Sequence, residues 1–157
     1  MAIRKFEKED IKPLAEIVRA TGVFREEEIE IAVELMDVSA NDKEQKDYFL
    51  YSYVDEAGEI QGYYCAGPTP LTQGTFDLYW IAVHPRVHKK RIGHELLVHC
   101  EEHIKLMGGK LLVVETSSQL KYEPTRRFYL RHLYAEAARI KDYYAQDDDL
   151  VIYSKYF

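Results

Sequence analysis

Residues 77–97, DLYWIAVHPRVHKKRIGHELL, constrain the fold more than any other stretch of this chain. An apolar, β-rich run over 78–83 stops at His84-Pro85. The next six residues include four cations, Arg86, Lys89, Lys90 and Arg91, and a helix pattern then opens at Ile92-Gly93. A strand that passes through a short basic turn into a helix brings a helix N-terminus to the strand's carboxyl end. The first-turn amides there lack intrahelical partners and the macrodipole is positive, so the junction is an anion site. The ligand it suits is a phosphate-bearing cofactor.

The flanking segments place this junction in a mixed α/β architecture. A strand over 2–6 leads to a helix over 8–20, with Ile11, Leu14, Ile17 and Val18 on one face and Thr21-Gly22 as its stop. A second amphipathic helix carries Ile29, Ala32, Val33 and Met36, and the polar residues 39–46 read as a loop. Strand patterns over 48–54 and 59–66 are joined by the turn Glu56-Ala57-Gly58. After the basic turn, Ile92, Leu96, Leu97, Cys100, Ile104 and Met107 form one buried stripe, closed by Gly108-Gly109. The strand over 110–116 is apolar through its centre, as expected where both faces are covered. A short helix starts near Pro124, and strands over 134–144 and 150–156 close the chain around Gln146 to Asp149. The expected fold is an α+β mixed sheet of about seven strands flanked by about four helices.

Composition narrows the partners. At 157 residues, with 46% apolar and 31% charged side chains, the chain is expected to form a single domain over 1–157. No apolar run spans a bilayer, so no membrane partner is expected, and two cysteines, Cys65 and Cys100, suit a reduced cytoplasm. A net charge of −6 argues against a nucleic-acid partner. Against that acidic background the basic turn suits a small polyanion held locally.

The order of elements, with Trp80-Ile81-Ala82-Val83-His84-Pro85, Ile92-Gly93 before Leu96-Leu97, the strand over 111–115 and Phe128-Tyr129, resembles the GNAT superfamily of acetyl-CoA-dependent N-acetyltransferases. The likeness covers almost the whole chain. It implies a central strand splayed from its neighbour, with the pantetheine arm of the cosubstrate between them. It also implies a pyrophosphate held by the loop His88, Lys89, Lys90, Arg91, Ile92, Gly93. The family's pattern there is Gln or Arg, two variable residues, Gly, one variable residue, then Gly or Ala. His88 and Arg91 depart from it, Tyr122 stands where the family commonly has Asn and is counted by that match among the cosubstrate-binding residues, and Leu133 stands where a glycine is common.

Acetyl transfer to an amine needs a deprotonated amine, a polarised thioester carbonyl and a proton for the leaving thiolate. For the carbonyl, the resemblance implies a backbone N–H near Ile81, Ala82 or Val83. For the thiolate it implies Tyr129 as general acid; a packed aromatic is the plainer reading. Two carboxylates compete as base, Asp77 near the start of the central strand and Glu115 at the end of the next one. For either, a solvated strand-end charge is the alternative. Residues 116–118 either meet the cosubstrate or cap backbone groups, and Tyr143, Tyr144, Tyr153 and Tyr156 either border an acceptor site or, the plainer reading, pack across strands.

His99, Glu102 and His103 match the H-x-x-E-H pattern of inverted zinc peptidases. At about 100° per residue Glu102 turns away from the two histidines, so they read as helix packing residues and no metal is expected. The leading expectation is an acetyl-CoA-dependent N-acetyltransferase acting on a primary amine of a small molecule or peptide. The competing ones are an inactive acyl-CoA-binding module of the same fold and an interaction domain that forms a homodimer through an exposed strand.

Overall fold

The computed structural model describes residues 2–157. Strand β1 (Ala2–Lys5) and a 3-10 turn (Lys8–Asp10) precede helix α1 (Ile11–Ala20), which Gly22 ends at φ +73°. Helix α2 (Glu26–Asn41) opens on three glutamates, the charge its N-terminus favours, and Glu28 reaches back to the Arg25 amide at 3.1 Å. This helix takes the first three residues of the polar segment expected as a loop. Asn41 Nδ2 donates to the Asp37 carbonyl at 2.9 Å and the Asp42 amide to Val38 at 2.9 Å, so these side chains propagate the last turn instead of breaking it.

Strands β2 (Phe49–Val54) and β3 (Ile60–Pro68) form a hairpin whose turn is fixed by Asp55, which accepts from the Ala57 and Glu59 amides at 2.9 Å each. Then follow β4 (Thr75–Val83), a 3-10 turn (Pro85–Lys90), α3 (Ile92–Leu106), β5 (Leu111–Ser117), a 3-10 turn (Leu120–Tyr122) and α4 (Glu123–Arg131). Strands β6 (Ala135–Ala145) and β7 (Asp148–Tyr156) close the chain. The expected turn before β7 is shorter than sequence suggested. Asp147 takes a left-handed φ of 63°, and Asp148 is already a strand residue, buried against Ser117.

The seven strands run in the order β1-β2-β3-β4-β5-β7-β6, and only β4 and β5 are parallel. Apolar side chains fill both faces. Leu14, Ile17, Val18, Ile29, Ala32 and Met36 of α1 and α2 cover Leu50, Tyr63, Cys65 and Ala82. Leu96, Leu97, Cys100 and Ile104 of α3, with Tyr129 of α4, cover Tyr64, Phe76, Leu78, Leu112, Val114 and Val151. Each fully buried aliphatic side chain contributes about 1.5–3 kcal/mol, so the two helical layers hold the sheet from both sides. Among the described residues no helix is long and apolar enough to cross a membrane.

Candidate active site

The site begins with a β-bulge. Along β3 and β4, Ala66 pairs with Leu78 and Cys65 with Trp80, which leaves Tyr79 as the extra residue. A bulge bends its strand and raises its twist. The parallel pairing of β4 with β5 covers Thr75 to Leu78 against Leu111 to Val114 and ends there. Beyond it, Trp80 to Val83 stay paired only to β3, and Glu115 to Ser117 only to β7. Two strand edges therefore face each other across a gap, with the expected Ile81, Ala82 and Val83 on one side. The Val83 carbonyl accepts from His88 Nε2 at 2.9 Å, and the Ser117 carbonyl from Arg126 at 2.8 Å.

At the carboxyl end of β4 the chain turns into α3. Arg91 caps the helix in the left-handed conformation (φ 60°, ψ 22°) and lends no side-chain bond to the first turn. The amides of Ile92, Gly93 and His94 accordingly stay open, since the helical ladder begins with Glu95 donating to Arg91. A Cβ at Gly93 would sit 3.4 Å from Phe128 Cε1 and 3.8 Å from Val83 Cγ2, so the start of α3, the end of β4 and α4 converge there. Arg86, Lys89, Lys90 and Arg91 are exposed, and none forms an ion pair among the described residues. Open amides and four uncommitted cations thus lie together where β4 turns into α3.

Tyr129 lies 3% exposed on α4, its ring 6.1 Å from Tyr153 and 5.6 Å from Tyr134. Tyr153 pairs with Val114, the residue after which β4 and β5 part, so Tyr129 stands at the head of the gap. Burial pushes its phenol well above the ordinary tyrosine value. The phenol therefore keeps its proton at neutral pH. No protein group bonds its hydroxyl among the described residues.

The two carboxylate candidates separate. Glu115 is exposed and is the first β5 residue past the end of the parallel pairing. Asp77 lies inside the paired stretch opposite Val113, three residues into β4, and accepts from Thr69 Oγ1 at 2.6 Å. Its carboxylate is engaged by the Thr69 side chain, set back from the gap.

Beyond Glu115, other elements form the mouth. Tyr122 donates to the Val23 carbonyl at 3.1 Å, and Phe24 meets Trp80 edge-on at 4.9 Å, tying the α1–α2 connection to β4 and to the start of α4. Burial, then the charge of Glu28 followed by Tyr144 and Asp148, pushes Tyr122 up to about 12. Burial, then Glu115, Tyr143, Asp148 and Glu28, does the same for Tyr144. Carboxylates and phenols from five separate elements thus come within electrostatic reach of one another. Sequence reading placed Tyr122 on the cosubstrate side and missed Glu28 and Asp148, because nothing local links them. It also missed Arg126, whose only sequence signal was a cation early in α4. His99 and His103 are packing residues: His99 Nδ1 bonds Tyr64 Oη at 2.9 Å, and Tyr51 meets the His99 ring tilted at 4.7 Å and the His103 ring edge-on at 5.1 Å.

The sequence profile of the acetyltransferase (GNAT) family matches residues 14–133. No curated protein matches the chain. Among solved structures, one described as a GNAT-family acetyltransferase from Desulfovibrio desulfuricans superposes with a TM-score of 0.91 at 38% identity, covering 99% of this chain and 98% of that one. The PaiA N-acetyltransferase of Thermoplasma acidophilum, in complex with coenzyme A, gives 0.77 at 20% identity over 99% and 98%. An aminoglycoside 6'-N-acetyltransferase from Enterococcus faecium gives 0.76 at 17% over 99% and 97%. The last two share the fold with this chain.

Proposed function

This chain belongs to the acetyltransferase (GNAT) family, and from that membership we propose that it transfers the acetyl group of acetyl-CoA to a primary amine of a small molecule or peptide. One observation carries the reading: the β4–β5 gap opens at one end onto the unpaired amides and uncommitted cations at the start of α3. These residues fit the ligand, because open amides and cations suit a diphosphate and a free strand edge suits an arm that carries amide groups. Acetyl-CoA supplies the activated acyl thioester. Ile81, Ala82 and Val83 present the strand edge that orients the arm and polarises the carbonyl, while Ile92 and Gly93 with His88, Lys89, Lys90 and Arg91 seat the phosphates. Tyr129 Oη delivers the proton that leaves with the thiol, and Glu115 takes the amine's proton directly or through water; Asp77 is set too far back to do so.

The mouth defines the acceptor's chemistry. Glu28, Glu115 and Asp148, beside Tyr122, Tyr144 and Trp80, favour an amine that arrives as an ammonium ion, in keeping with the net charge of −6. The test pairs a melting experiment with free-thiol release across neutral, monocationic and polycationic primary amines. Acetyl-CoA at about 100 times its dissociation constant should add roughly 2.7 kcal/mol of stability, and thiol release should favour the cationic amines. Absence of a melting shift at millimolar acetyl-CoA, with calorimetry also silent, would remove the cosubstrate.

A second reading, a module that holds CoA and transfers nothing, draws on Arg91 in place of the family's glycine and on His88 occupying the Val83 carbonyl. CoA binding without thiol release from any amine would select it. For assembly we propose a homodimer, because β6 pairs on one side only and every one of its residues is exposed. Sedimentation at micromolar concentration tests that.

A further inference from the structure

Two histidines that neither the fold nor the proposed chemistry requires are joined beside the phosphate seat. His94, in the first turn of α3, places Nδ1 2.9 Å from Nε2 of His132, the residue that caps the end of α4. The other nitrogen of His132, Nδ1, lies 2.7 Å from the Phe128 carbonyl. A carbonyl only accepts, so His132 Nδ1 carries a hydrogen and donates it. With both rings neutral, His132 Nε2 is then the acceptor, His94 Nδ1–H the donor, and His94 Nε2 is left bare. No protein group bonds that nitrogen among the described residues. Phe128, whose backbone anchors the pair, also lays its ring against Gly93 and packs 4.4 Å from the His132 ring.

We propose that His94 and His132 are a proton-relay pair that takes up one proton when the phosphates of the cosubstrate dock at the start of α3. A proton arriving from water at His94 Nε2 lets the Nδ1 proton pass to His132 Nε2. His132 becomes the imidazolium and keeps its Nδ1–H bond to Phe128, while His94 Nε2 changes from a bare acceptor into a donor facing outward. The helix ends favour this division. The cation sits at the negative carboxyl end of α4, and the neutral ring stays at the positive amino end of α3. Without ligand, burial, then Arg91 and His132, push His94 below its ordinary value, outweighing the opposing Glu95 and Glu101. A bound anion reverses that balance. The inference rests on the cosubstrate reading above and adds to it that binding is coupled to protons.

Calorimetric titration in two buffers of different ionisation enthalpy tests it. Dephospho-CoA is the probe, since its diphosphate diester does not itself titrate near neutrality. Wild type should take up between about 0.3 and 1 proton per ligand at pH 7, and its affinity should fall up to about tenfold per pH unit above the coupled range. His132→Asn, whose amide can still donate to the Phe128 carbonyl, should bind with no uptake and a flat pH profile. His94→Asn should do the same, and serves if the first variant folds poorly. Binding by wild type without proton uptake, or uptake unchanged in both variants, would overturn the relay alone. No binding of either CoA or dephospho-CoA to wild type would overturn the cosubstrate reading, and the relay with it.

Discussion

Arg91 holds φ 60° at the head of α3, a conformation glycine adopts freely and one that costs a residue with a Cβ about 1–2 kcal/mol. Its exposed guanidinium stands beside the open amides, so stability and binding are expected to pull in opposite directions. Arg91→Gly should raise stability by about 1 kcal/mol, roughly 2–4 °C in melting temperature for a chain this long, while weakening CoA. The loss should vanish with pantetheine, which lacks the diphosphate; a tenfold tightening would instead mark Arg91 as a plug. Tyr129→Phe removes one hydroxyl that bonds no protein group among the described residues. Melting should therefore stay within about 0.5 kcal/mol of wild type, while turnover falls roughly 10²–10⁴-fold. Steady-state kinetics within threefold of wild type would make the tyrosine structural. At this scale the family resemblance pointed to positions such as Gly93 and Tyr129, because each falls on a residue of the shared pattern. The sequence was silent on the His94–His132 pair, whose members lie 38 residues apart in sequence.

Between elements, close approach sets the constraints. Where β3 passes the segment before β2, a Cβ at Gly67 would lie 1.9 Å from the Asp47 carbonyl oxygen, a backbone atom that cannot swing aside. Gly67→Ala should cost about 2–3 kcal/mol in urea unfolding. Gly93→Ala meets only the edge of the Phe128 ring at 3.4 Å and should cost less than about 1 kcal/mol. The bulge at Tyr79 works at the same scale, bending β4 so that its pairing with β5 stops at Leu78. Gly67 looked no different from a turn glycine in sequence, and nothing near Tyr79 announced a bulge. Both depend on the register of a neighbouring strand.

Over the whole molecule, acid should loosen the fold. His99 and His103 are held below the ordinary histidine value by burial first, then by each neighbouring charge, His103 for one and Lys5 for the other. The unfolded chain therefore binds protons there before the native one does, and stability falls as pH drops through about 6.5. Asp10 adds a lower step. Burial raises its pKa, but Arg4 at 2.8 Å, the Glu7 amide and Ser52 outweigh it and hold the carboxyl below the usual value, a stabilisation lost only as pH falls past that range. Urea midpoints between pH 7.5 and 5.5 should fall by on the order of 1 kcal/mol, discounted for partial exposure, and less in a His99→Gln, His103→Gln double variant. A flat profile would contradict the burial of these rings. The sequence by itself determined the seven strands, the four helices and the basic strand-turn-helix, because periodicity, caps and turn residues act over a few positions. Only the tertiary structure decided that Glu115 falls just past the end of the β4–β5 pairing while Asp77 falls inside it, that Asp148 joins Ser117, and that Glu28, Glu115 and Asp148 come within electrostatic reach of Tyr144. Strand register and the bulge arise from pairing between segments far apart in the chain, and no local pattern encodes them.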